Sequence, residues 1–94
     1  MELTAEHKAY IEKLAGLFYV PRQIAVIMDI PVADFMADIA IETTDIYRAY
    51  WKGFYEAEVK FREEVSRLAH LGSSPAQTLL AKMIEESKMQ RHER

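Results

Sequence analysis

The sequence predicts an all-α fold of five helices, and two observations carry that reading. Apolar residues recur at three- and four-residue steps, and no stretch alternates apolar with polar residues as a half-buried strand does. Prolines and glycines are few, and they fall mainly where the helical patterns break.

The elements follow in order. Thr4 is a suitable N-cap for a first helix reaching about Gly16, with Leu3, Tyr10, Ile11, Leu14 and Ala15 on its inner face. "LFYV" then leads to Pro21, which suits the first turn of a short second helix ending near Asp29. Pro31 reopens the chain into a third helix running to about Glu42. Thr43 or Thr44 caps a long fourth helix that continues to Gly72. On it Tyr47, Tyr50, Phe54, Ala57, Phe61, Val65 and Leu68 form one face.

In "SSPAQ" the expected N-cap is Ser74, with Pro75 at the first helical position and Gln77 completing a capping box. The fifth helix is expected to run to about Lys88, with Ala76, Leu79, Leu80, Met83 and Ile84 facing inward, and "MQRHER" to fray. The break at "HLGSS" turns this helix back on the fourth as a hairpin.

Ninety-four residues make a single domain, divided into a three-helix part over 1–43 and a hairpin over 44–94. No apolar run approaches the ~18 residues needed to cross a bilayer, and the start "MELTAEHK" lacks a basic segment followed by an apolar block. The chain is therefore expected to be soluble, cytoplasmic and without a membrane partner. Zero cysteines exclude disulfides and thiol zinc sites.

The net charge of −3 is unevenly spread. Residues 1–46 hold three basic and eight acidic residues, a balance of −5, and residues 47–94 hold nine and seven, a balance of +2. His7, His70 and His92 are scattered, and no HExxH, paired-carboxylate or Gly-rich phosphate loop appears. Neither catalysis, nor a cofactor, nor a metal is expected.

"QIAVIMDIPVADF", residues 23–35, reads as a helix-turn-helix. Ala25 is the small residue that two crossing helices require. Ile24, Ile27 and Met28 bury the first helix, Ile30 plugs the turn, and Phe35 and Ile39 bury the second. Asp29 stands where Gly is usual in the turn, a mild departure because Asp tolerates left-handed geometry. Asp38 takes a position usually apolar. The groove-facing positions Val32, Ala33, Met36, Ala37 and Ala40 carry no polar side chain. They cannot make the bidentate contacts that discriminate bases by ~1–3 kcal/mol each. Contact with duplex DNA then falls to the backbone, with Lys8, Lys13, Arg22 and Gln23 as the residues expected at phosphates.

A second apolar shoulder on the long helix, Trp51, Tyr55 and Val59, lies beside the main stripe at steps of four. So small a domain struggles to bury aromatics on two sides of one helix. Either the first three helices cover this shoulder or it pairs with another subunit, and the latter predicts a homo-oligomer. Arg48, Lys52, Lys60, Arg62 and Arg67, interleaved with Glu56, Glu58, Glu63 and Glu64, read as a solvated face supported by ion pairs.

The order "LAGLFYVPRQIAVIMDIPVADFMADI", then "YRAYWKGFYEAEVKFREEVSRLAHLGSSPAQTLLAKMI", resembles the small terminase subunit and related phage helix-turn-helix proteins. In those a helix-turn-helix is followed by a helix with a "Y..G..EA....R" pattern, here Tyr50, Gly53, Glu56, Ala57 and Arg62. The resemblance covers about residues 10–88. It implies a non-enzymatic, often ring-forming protein that recognises viral DNA and presents it to the terminase large subunit. It also implies a phage or prophage origin in a bacterial host. The acidic third helix departs from the family pattern. The competing expectation is a protein-interaction module whose acidic helix-turn-helix meets a basic partner and does not bind DNA.

Overall fold

The computed structural model describes residues 3–92, with side chains through residue 90. Among them the chain is all-α: α1 Ala5–Gly16, α2 Pro21–Ile27, α3 Val32–Ile39, α4 Asp45–His70 and α5 Ser74–His92. Among the described residues no helix is long and apolar enough to cross a membrane. The chain divides into two compact units, Met1–Glu58 and Val59–Arg94, and α4 belongs to both.

The first unit is built on local signals that the residues dictate. Thr4 caps α1 through a reciprocal box: its Oγ1 accepts from the His7 N–H, and His7 Nδ1 accepts from the Thr4 N–H. Thr44 caps α4, its Oγ1 accepting from Tyr47 N–H while its hydroxyl reaches the Asp38 and Ile41 carbonyls. The third helix stops at Ile39, short of the expected Glu42, and this hydroxyl ties the intervening turn to its end.

Both α1 and α2 end in the same way. The N–H two residues past the C-cap bonds back to the carbonyl five residues earlier, Tyr19 to Leu14 and Ile30 to Ala25. The intervening residue is left-handed in each, Phe18 at φ 67° and Asp29 at φ 56°. This is the Schellman closure that ordinarily selects glycine.

The core of this unit joins Ile11, Leu14 and Ala15 of α1 to Ile24 and Ala25 of α2, Phe35 of α3, and Ile46, Ala49 and Tyr50 of α4. Met28, Ile30, Ile39, Trp51 and Phe54 pack around it. Tyr10 and Ile27, both expected inside, are 41% and 42% exposed. Each lies at the edge of its helix's apolar stripe, where the sequence pattern overcounts the face. Burial pushes the pKa of the Tyr50 phenol up.

Helices α1 and α4 cross with their backbones close. A Cβ added at Gly53 would lie 2.1 Å from the Glu12 carbonyl oxygen. Gly16 in turn meets the Gly53 carbonyl and Ala57. Ion pairs flank the crossing, Lys8 to Asp45 at 3.3 Å and Lys52 to Glu12 at 3.1 Å. The Glu12 carboxylate, as hydrogen-bond acceptor, raises the Lys52 ammonium pKa.

In the second unit, α4 ends in a third Schellman closure, Ser73 N–H to Leu68 O, here with Gly72 at φ 97°. The start of α5 corrects the expected cap. Ser73, not Ser74, is the N-cap, its Oγ accepting from Ala76 N–H, so Pro75 is the second helical residue. Gln77 completes no box; its Nε2 donates to the Ala69 carbonyl and joins the end of α4 to α5. Val65, Ala69 and Ala76, with Leu80 and Met83, form a small core. Phe61, Leu68, Leu79 and Ile84 stay exposed, because two helices cannot enclose a full apolar face. The helix continues to His92 rather than stopping near Lys88.

Candidate functional site

The groups expected to meet phosphate do not share one state. Lys8 is engaged with Asp45, and the Gln23 Oε1 is engaged in α2 itself, accepting from the Val20 N–H at 3.1 Å. The first is a surface ion pair between two helices and the second a local cap three residues apart. Lys13 and Arg22 are exposed and have no ion-pair partner among the described residues. Ala33 and Ala37 on α3 and Ala40 at its C-cap are exposed, while Val32 and Met36 are half-buried and Val32 packs on the core.

The residues expected at an oligomer surface differ in exposure. Trp51 packs against the core and is half-buried, with Tyr50 and Phe54 edge-on at 5.1 and 5.5 Å. Tyr55 is 54% exposed and stacks on Trp51. Val59 is 55% exposed but belongs to the second unit.

What the sequence reading missed is the turn after α1. Leu17, Phe18, Tyr19 and Val20 are all exposed, and the Phe18 ring stands edge-on to Phe54 at 5.6 Å. Through Phe54, which meets Tyr55 at 5.4 Å, the turn and the long helix share one aromatic surface. Phe18 holds it from a left-handed backbone that costs an L-residue ~1–2 kcal/mol, a cost glycine would not incur. An ordinary C-terminal turn gives no reason for Phe at this position. The available signal was the run "LFYV" itself, four apolar residues at a helix end.

Other groups are accounted for locally. His70 Nδ1 lies 2.7 Å from the Ser66 carbonyl in the last turn of α4, as expected of a C-terminal histidine. Arg67 pairs with Glu64 and lowers the pKa of that carboxyl. The His92 side chain lies outside the described residues. Among the described residues no group of three or more His, Asp or Glu side chains is arranged to hold a metal ion. Comparison with protein families, with curated proteins and with solved structures finds no match to this chain.

Proposed function

We propose that the chain is a non-enzymatic adaptor that grips duplex DNA through a helix-turn-helix and works as an assembly of several copies. This is the role of the small terminase subunits that the sequence resembles. The carrying observation is the closure of α2 on α3. Ala25 is fully buried where they meet, Asp29 makes the left-handed turn, and Phe35 is fully buried beneath them. By the same resemblance, the partner in DNA packaging is a terminase large subunit and the setting is a phage-infected bacterial cell.

The mode of binding is phosphate contact without base readout. Arg22 and Lys13 are the cations left for it, and the exposed alanines of α3 offer bases no hydrogen bond. Titration of random duplex at low salt is the test. Arg22→Ala is expected to weaken binding about equally for unrelated sequences and to make the salt slope shallower by about one phosphate contact. Asp34→Lys is expected to strengthen it. Loss of one sequence with others spared would mean base readout. A wild type that ignores DNA at low salt would leave the protein-interaction module as the surviving reading.

Assembly is assigned to the aromatic surface of Phe18, Phe54 and Tyr55. Phe18 and Tyr55 are exposed and Phe54 joins them from its half-buried place on the core; exposed aromatics of this kind are enriched at interfaces. Tyr55→Ala is expected to lower the mass measured by sedimentation with helicity nearly unchanged. Phe18→Gly is the sharper probe, since it removes the ring while relieving the backbone. It should cut self-association without destabilising the monomer. A wild type that stays monomeric at high concentration would refute this surface.

A further inference from the structure

The first unit holds a cleft of about 640 Å³ between α3, the turn before it, and Leu3 and His7 at the start of α1. That volume lies within the ~300–1,000 Å³ range of ligand-binding clefts. Met28, Ile30 and Ala37 supply apolar lining, and Asp29, Asp34 and Asp38 supply carboxylates. Asp34 and Asp38 stand one turn apart on α3, a like-charged spacing that disfavours the helix. Among the described residues no Lys or Arg pairs with any of the three, and His7, the basic side chain in the lining, has its Nδ1 engaged as acceptor of the Thr4 N–H; Glu12, Asp45, Glu56 and Glu64, by contrast, are each paired with a Lys or Arg.

Charge complementarity selects the occupant. Three unanswered carboxylates repel phosphate, and they are not arranged to hold a metal ion. An apolar lining beside them favours a segment carrying both cations and apolar side chains. We propose that this cleft docks a basic, apolar-flanked peptide segment of a partner protein. The proposal does not rest on DNA binding and would stand if the chain ignored DNA, although Asp34 and Ala37 of α3 belong to both surfaces.

The test uses a fluorescent eight-residue peptide of alternating Lys and Leu, titrated by anisotropy against the full chain without DNA. Control peptides replace Leu by Ser or Lys by Glu. Only the Lys–Leu peptide is expected to bind, more weakly as salt rises, with shifts at the Met28 and Ile30 methyl resonances. The double variant Asp34→Asn, Asp38→Asn should weaken it about tenfold, in proportion to two partly exposed charge contacts. Both changes remove a like-charge repulsion, so the variant is expected to fold. The proposal is overturned if the Lys–Leu peptide fails to bind, or if the Ser control binds as well. It is overturned too if the double variant binds unchanged, or if the shifts fall at Phe18 and Tyr55. Loss of self-association in the double variant would make the occupant a second copy and also overturn it.

Discussion

Phe35→Ala is expected to cost roughly 3–5 kcal/mol of unfolding free energy, the range for truncating a fully buried aromatic side chain. Phe35 is fully buried in the core shared by α1, α2 and α4, so nothing but core side chains can move into the space. A domain of ordinary stability has only ~5–15 kcal/mol in total, so the variant should approach the unfolding threshold. The single tryptophan makes this measurable, because Trp51 packs against the same core and its fluorescence reports this unit. Val26→Ala, on the exposed side of α2, is the control and should change stability by less than ~0.5 kcal/mol. A Phe35→Ala loss below ~1 kcal/mol would mean that α3 does not close on α2 as described.

The burial of Phe35 was legible in the sequence because its signal is local. Ala25, Asp29, Ile30 and Phe35 are read by spacing alone, and Asp29 does take the left-handed turn. Thr4, Pro21 and Thr44 likewise mark helix starts through atoms a few residues away. What escaped depends on partners distant in the chain. The Lys8–Asp45 pair was not legible because Asp45 lies on another helix. Gln77 read as a local cap because the Ala69 carbonyl it satisfies belongs to the preceding helix. Phe18 escaped for a different reason: rules for helix ends expect glycine, and nothing local announces that an aromatic ring is held there at a conformational cost. The site was accordingly less legible than the fold. Which cations stay available, and which aromatics face outward, is decided by packing between helices.

Gly53 is the residue whose meaning the sequence hid most, and Gly53→Ala gives the other large expected effect. By helix propensity alone the change should stabilise, since Ala exceeds Gly by ~1 kcal/mol inside a helix. The crossing reverses the sign. The new methyl would fall 2.1 Å from the Glu12 carbonyl oxygen and 2.6 Å from its Cα, and neither is a side chain that can rotate away. Helix α1 would have to shift as a body, against the Lys52–Glu12 and Lys8–Asp45 pairs and the buried Ile11 and Leu14. Overpacking typically costs ~1–3 kcal/mol and occasionally more; a clash with fixed backbone belongs at the upper end. A net loss of at least ~2 kcal/mol is expected after the propensity gain, or ~10 °C in Tm for a domain of this size. Gly72→Ala separates the mechanisms, because a Cβ there meets nothing within 4 Å and only the φ of +97° is strained. It should cost ~1–2 kcal/mol through backbone strain alone and leave the α1–α4 crossing intact. The two variants also differ in reach. Displacing α1 moves Phe18 off Phe54, so Gly53→Ala should weaken self-association even where the protein remains folded. A Gly53→Ala protein as stable as wild type would show that the helices do not approach this closely, and the aromatic surface built on their crossing would fall with it.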